Sequence, residues 1–455
     1  MALLPLNAIV YTTNSKHTNI LNKGSTLDFF KLEKNGTTVK TEFTAGFTTF
    51  LTMMYIVPVN AIIMSKTGMP MEALITATAL ITIFSSILNG LWANTPIAMS
   101  VGMGLNAYFT FGLVLGMKVP WQTALGVVFL SGLLFLVLSL TPLRVWIMKS
   151  VPHDLRRAIS AGIGSFIAFI GLKSMGMVIA NPAVLVGVGN FKNPNVLLGV
   201  LGLVLVFAFY SWRLKGAFIL AVVTTAVVAW VAGIAPYPTE FFSLPASVSP
   251  IAFELDIKSA LTFSLFPVII TFLITDLFDS LGTLAGVGFR AGLFKDDGKE
   301  LQKTLEIDAL ASTVCAVVGV STTTAFIESA AGVEEGGRTG LTAVVTGLCF
   351  ILTLFMMPLF KAIPENAIYP VLVMVGVLMF GELSHINFKD TAIAVSTFLI
   401  VIMMPLTFSI TNGLAFGLIS YVLIKLIKKE FKDINFGILF LTFVSLIVFI
   451  VQEGH

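Results

Sequence analysis

Apolar runs of about 20 residues, each enough to cross a hydrocarbon core of about 30 Å, follow one another along almost the whole of this 455-residue chain. In lipid such runs must be helices, because a backbone without water has to satisfy its own hydrogen bonds. The composition agrees: 56% of residues are hydrophobic, 11% are charged and the mean hydropathy is +0.96. Soluble domains are about 45–50% apolar and about 25% charged. No stretch is left over for a soluble domain. The net charge of +3 is small and dispersed, so no nucleic-acid partner is indicated.

The expected spans are 43–65, 71–92, 95–116, 121–140, 155–174, 194–212 and 216–234. After a polar connection follow 259–283, 304–319, 320–336, 339–360, 365–382, 390–407 and 411–428. The apolar stretch 434–451 fits a membrane-surface helix, part of a hairpin or a further crossing. With the N-terminus inside, Lys66, Lys118, Lys173, Lys192, Lys258 and Lys361 lie outside, and the other 21 of the 27 basic residues lie inside. The clusters Arg144/Lys149/Arg156/Arg157, Arg290/Lys295/Lys299/Lys303 and Lys425/Lys428/Lys429/Lys432 all fall there, as the positive-inside rule asks. MALLPLNAIV lacks the leading basic residues of a cleavable signal, so the first membrane segment is expected to act as its own insertion signal. Cys315 and Cys349 fall in expected helices and make no disulfide framework.

Residues 236–259 form the most polar interior stretch and divide seven segments from seven. Thr48–Thr52 (TTFLT) is similar to Ile270–Ile274 (ITFLI), and the same offset of 222 positions carries Asn106 of GLNAYF onto Glu328 of FIESAA. An odd number of crossings per half makes the second half enter from the opposite face, an inverted repeat. The third and tenth segments are broken by Pro96, Gly102 and Gly104, and by four glycines (Gly319, Gly332, Gly336 and Gly337) and the run Thr322–Thr324. Thr favours extended backbone and Gly weakens helix. Each of the two therefore reads as a short extended piece followed by a half-helix, whose exposed N–H groups can bind a polar ligand; close Gly-lined helix packing is the alternative.

Three carboxylates fall inside apolar segments: Asp276 and Asp279 in LITDLFDSLGT, and Glu328 in TTTAFIESAAG. An ionisable group at mid-membrane costs about 2.5–3.5 kcal/mol on insertion scales, and such groups mark pathways, pairs or proton relays. Asp276 and Asp279, three apart, share a helical face. Like charges in a dry site disfavour both being ionised at once, which suits a group that takes up and releases a proton. A transporter follows more readily than an enzyme, because no nucleophile–base pair is apparent. No Walker motif, metal constellation or cofactor motif is present in the sequence. His17, His153, His385 and His455 fall in expected tails or loops, so a proton route is expected to use carboxylates.

At GTTVKTEFTAGFTTFLTMMYIVPVN, ANTPIAMSVGMGLNAYF, DLFDSLGT and STTTAFIESAAGVEEGGRTGLTAVVTG the chain resembles the nucleobase–ascorbate (nucleobase:cation symporter-2) transporters, most of all their AzgA-like branch of adenine/guanine/hypoxanthine permeases. The likeness runs from about residue 27 to the end, leaving 1–26 as a tail. It implies an all-α polytopic membrane protein of about 14 segments in two inverted sets of seven, with short strands paired in segments 3 and 10. The implied core domain is 27–140 with 258–360, the implied gate domain is 141–235 with 361–428, and 429–455 forms a C-terminal apolar segment. The implied activity is proton-coupled import of purine nucleobases (hypoxanthine, guanine, adenine) by alternating access, in the plasma membrane with the N-terminus cytoplasmic and with a homodimer as the common assembly. Sodium is the other coupling ion to consider. An anion transporter or channel on the same architecture is the alternative, and the acids of segments 8 and 10 argue against it.

Glu328 is the leading substrate residue, since a carboxylate can accept two N–H bonds from a purine edge; capping its own half-helix is the alternative. Phe326 offers a ring face, and Ser329 and the backbone near Ile327 offer polar groups. The resemblance implies that Asp276 faces the substrate with Asp279 nearby; Asp279 tying its helix to backbone or Thr283 is the structural alternative. Asp276, Asp279 and Glu328 are the proton-coupling candidates. Asn106 either completes the site or holds the strand pair. Glu334, Glu335 and Arg338 read as an interfacial cluster, and Asp308 as solvated or helix-capping.

Overall fold

The computed structural model describes residues 29–141, 151–291 and 299–452. The tail 1–26, Arg144, Lys149, Lys295, His17 and His455 lie outside them. The first segment is two helices, α1 (Val39–Met53) and α2 (Ile56–Ser65), and α3 (Met71–Trp92) follows. The third is broken into β1 (Met99–Val101), α4 (Met103–Ala107) and a π-helical continuation, Tyr108–Gly116. Then come α5 (Trp121–Ser139), α6 (His153–Ser174), β2 (Val178–Asn181), β3 (Leu185–Val188), α7 (Pro194–Ser211), α8 (Ala217–Val231) and the short α9 (Ile257–Ala260). The second half runs α10 (Phe266–Ala291), α11 (Lys299–Val318), β4 (Thr323–Ala325), α12 (Ser329–Glu334), α13 (Gly340–Phe350), α14 (Met357–Ala362), α15 (Glu365–Phe380), α16 (Thr391–Leu406), α17 (Ile410–Ile427) and α18 (Phe436–Gln452). Among the described residues eight helical spans are long and apolar enough to cross a membrane, and five shorter apolar helices accompany them.

The helices pack in two groups. In one, α3 lies against α13 and α11, α5 against α11 and α10, and α1 against α13 and α12. In the other, α6 lies against α15 and α16, α7 against α15 and α8, and α17 against α16 and α18. The groups touch chiefly where α6 meets α4 and α10, where α1 meets α8 and where α10 meets α17. Two differences from the expected spans stand out. The eighth segment, α10, continues to Ala291, and an exposed β2–β3 hairpin fills the connection after α6.

Two local devices fix the first group. Glu42, fully buried in the first turn of α1, accepts from Arg338 N (2.9 Å), Thr342 N (3.1 Å) and Thr342 Oγ1 (2.6 Å). A carboxylate there meets the orphan N–H groups and positive end of α13. Gly90 and Gly340 let α3 and α13 touch backbone to backbone: a Cβ on Gly340 would stand 1.9 Å from the Gly90 carbonyl oxygen.

Extended backbone inside such a bundle is tolerated only where protein satisfies it. β1 and β4 pair antiparallel, with Met99 opposite Ala325 and Val101 opposite Thr323. Helix α3 supplies the outer partners of β1: Ser86 Oγ exchanges bonds with Met99 N and O (both 3.0 Å), and Asn89 Nδ2 donates to the Ile97 carbonyl at 2.7 Å. Helix α11 does the same for β4: Thr323 N donates to Ser312 Oγ (3.2 Å), and Thr323 Oγ1 to the Asp308 carbonyl (3.2 Å).

Candidate functional site

A cavity of about 510 Å³ opens where the two groups face each other, a size usual for small-molecule sites. One wall comes from the first group: Tyr55, Phe278, Asp279, Thr324 and the run Phe326, Ile327, Glu328 that leads from β4 into α12. The other comes from the second group: His153, Arg156, Arg157 and Ser160 of α6, with Leu378, Met379, Glu382 and His385 at the end of α15 and just beyond it.

Glu328 occupies the N-cap position of α12 but makes no capping bond to that helix. Its Oε1 accepts instead from the Tyr55 hydroxyl at 2.5 Å. Phe326 is 5% exposed, with its ring on the cavity wall and its N–H bound to the Ala98 carbonyl at 3.0 Å. Ile327 is 52% exposed and lines the same wall. Ser329 is fully buried, and its Oγ accepts from Ala98 N at 3.0 Å, so this hydroxyl holds the β1 entry.

Of the acid pair on α10, Asp279 lines the cavity and Asp276 lies behind it. Asp276 is fully buried, turned toward α11, and accepts from Ser312 Oγ at 2.9 Å; its Oδ1 has no hydrogen-bond partner among the described residues. Asp279 Oδ2 has a long contact, 3.5 Å, with Thr324 Oγ1. Asn106 is fully buried away from the cavity, donating through Nδ2 to Asn60 Oδ1 at 2.9 Å, while Asn60 in turn donates to Thr78 Oγ1 at 2.7 Å. That chain braces α4 against α2 and α3.

Asp308 is neither solvated nor a cap. It is fully buried, because α11 turns this face toward α10 and β4, and the Ser280 hydroxyl donates to its Oδ2. Ser280 Oγ also lies 3.0 Å from Thr324 Oγ1. Hydroxyls thus connect the buried Asp308 to Asp279 on the cavity wall. The histidine reading also needs correction: His153 is the first residue of α6, and with His385 it borders the cavity. Arg157 donates through Nη1 to the His385 carbonyl at 2.6 Å and lies 3.7 Å from Glu382. Glu335 pairs with Lys215 at 2.6 Å. Arg338 donates to the carbonyls of Val333 and Gly337 (2.6 and 2.7 Å), closing α12.

Sequence reasoning found the acids because charge in an apolar run is conspicuous. It missed Tyr55 and the α6 residues, whose importance depends on what packs opposite. Among the described residues no group of three or more His, Cys, Asp or Glu is placed to hold a metal ion. Chemically, one wall of the cavity offers Phe326 and two carboxylates, Asp279 and Glu328, that can accept N–H donors, while the facing wall carries Arg156 and Arg157 with Glu382.

Residues 40–416 match the model of a permease family, Xan_ur_permease. The chain is 40% identical over 428 residues to adenine permease AdeP of Escherichia coli, covering 94% of this chain and 96% of that one. It is 39% identical over 424 residues to guanine/hypoxanthine permease PbuO of Bacillus subtilis, covering 90% of this chain and 98% of that one. Among solved structures, the transmembrane domain of a cyanobacterium bicarbonate transporter, BicA, superposes with a TM-score of 0.59 over 84% of this chain and 96% of that chain. At 15% identity that likeness concerns the fold alone.

Proposed function

The chain belongs to the Xan_ur_permease family of permeases, and from that premise we propose that it imports purine nucleobases together with protons by alternating access. The observation that carries the reading is the single cavity wall on which Glu328, Asp279 and Phe326 converge. A purine is flat, with N–H donors on its edge; a ring face and carboxylate acceptors are the complement. The relatives named for adenine and for guanine/hypoxanthine support purines as the substrate class.

In this reading the helices form 14 segments in two inverted sets of seven, counting the broken third and tenth. The group holding α1–α5 and α10–α13 is the substrate-bearing core, and the group holding α6–α8 and α15–α17 is the gate. Separate packing within each group, with the cavity at the boundary, supports a rocking movement of one against the other. Protons enter and leave through Asp279, with Asp276 and Asp308 behind it. The excess of basic residues on one side supports a cytoplasmic N-terminus in the plasma membrane.

Thermal unfolding of the purified chain with a panel of bases tests the substrate class. Hypoxanthine, guanine or adenine should raise Tm and pyrimidines should not, because only a ligand that binds the folded state stabilises it. Stabilisation by bicarbonate or sulfate and by no base would instead favour an anion transporter on this fold.

A further inference from the structure

A second cleft, of about 250 Å³, lies away from the purine cavity and gathers charge of one sign. Lys31, Lys34, Lys299, Lys303 and Arg338 line it, with Glu300 as the single acid among the described residues. Among the described residues none of the four lysines is ion-paired. These cations come from three separate parts of the chain, and like charges brought together repel. Insertion by the positive-inside rule needs basic residues on one side of the membrane; it does not need them around one concavity.

The cleft is built, too. Phe30 and Leu32 are buried in a small apolar cluster with Leu341 and Val345, while the alternate residue Lys31 is left exposed on the cleft. Backbone bonds from Asn35 N to Lys31 O and from Thr37 N to Leu32 O (both 3.1 Å) close this turn. Lys31 holds φ at 53°, a left-handed conformation that a lysine rarely adopts. Asn94, also left-handed at φ 52°, donates to the Phe30 carbonyl (3.3 Å) and accepts from Gly340 N (2.8 Å), tying the turn to α3 and α13. Lys303 Nζ stands 5.6 Å from the ring centroid of Trp92.

We propose that this cleft binds a phosphate group. Lysine is a point-charge phosphate binder, and basic pockets beside membrane helices take phospholipid head groups. The cleft lies where the span Val39–Ser65 begins and the span Met71–Trp92 ends, with Trp92 55% exposed beside it. That is head-group depth, where tryptophan is enriched. An anionic phospholipid and a small soluble phosphate share the chemistry, and the test separates them.

The full-length protein, purified in neutral detergent, is titrated with phosphatidylglycerol, with phosphatidylcholine and with inorganic phosphate at constant ionic strength, and Tm is followed. Phosphatidylglycerol should raise Tm and phosphatidylcholine should not. In the variant Lys31→Gln/Lys34→Gln/Lys299→Gln the midpoint should weaken on the order of 100-fold, at roughly fivefold per cation near a membrane surface. If the triple variant does not fold, Lys34→Gln alone should show the roughly fivefold loss. A lysine-dependent rise with inorganic phosphate and not with lipid would assign the soluble source. Equal responses in wild type and variants, or no response to either phosphate, would overturn the proposal. Purine binding is read separately and bears on neither outcome.

Discussion

Tyr55 and Glu328 are joined by a 2.5 Å hydrogen bond that connects the break between α1 and α2 to the start of α12. The Tyr55 ring also packs edge-on against Phe218 of α8, with centroids 5.2 Å apart. One side chain therefore touches the acid of the first helix group and a helix of the second.

Tyr55→Phe keeps the ring contact and removes the donor. A hydrogen bond to a charged group is worth about 1.5–3 kcal/mol. Base affinity should fall about tenfold or more, with little change in Tm, as calorimetric titration of wild type and variant would show. An unchanged Kd would mean that the hydroxyl does not orient Glu328 for the ligand.

Asp279 and Asp276 should separate in kind. Asp279→Asn alters the cavity wall and should weaken base binding directly. Asp276→Asn alters a buried group facing Ser312, and should impair proton-driven uptake while leaving equilibrium base binding near wild type. Equal losses of binding in both variants would contradict the depth order of the two acids.

Gly340→Ala places a methyl group 1.9 Å from a backbone oxygen of α3. Overpacking costs about 1–3 kcal/mol where a side chain can yield; a backbone carbonyl yields less. Expression and Tm should both drop sharply, and a wild-type Tm would show that α3 and α13 are not in backbone contact.

Lys425, with 4% of its side chain exposed, meets Asp390 (2.8 Å), Glu430 (2.6 Å) and Asp433 (2.8 Å), tying α17 to the start of α16 and to the turn before α18. Burial raises the Asp390 carboxyl, but the Lys425 ammonium and the Ala392 N–H outweigh it and hold the group below its usual range. A depressed carboxylate gives stability that is complete above its unfolded pKa, about 3.9, and is lost as pH falls through the lower folded value. Lys425→Met should therefore destabilise near neutral pH, by about 1 kcal/mol because the three carboxylates stay partly exposed to water, and the difference from wild type should shrink as pH falls below 4. A pH-independent difference would leave the ion pairs without a role.

The helical frame was largely legible. Apolar runs bounded by Pro and Gly set the expected 71–92 and 194–212 beside the observed Met71–Trp92 and Pro194–Ser211. The broken segments were legible from Gly and Thr, but pattern alone could not pair β1 with β4; that came from resemblance. The acids could be found by their cost in an apolar run, yet not ranked by depth, because depth depends on which helix packs opposite. Asp308 illustrates this: it lies in a mixed-charge stretch, LEIDALAS, and its burial arises from contacts with Ser280 and Thr323, which are 28 and 15 residues away. Tyr55 carried no signal, since Glu328 lies 273 residues further on.

The proposed function stands on a purine bound at the Glu328 wall whose entry is coupled to protons. Its most direct test is uptake of radiolabelled hypoxanthine, guanine and adenine into proteoliposomes, with and without an imposed inward proton gradient and without sodium, by wild type and by Glu328→Gln. Wild type should accumulate at least one purine under the gradient, and Glu328→Gln should not. Accumulation that ignores the proton gradient, or survives Glu328→Gln unchanged, would contradict that function.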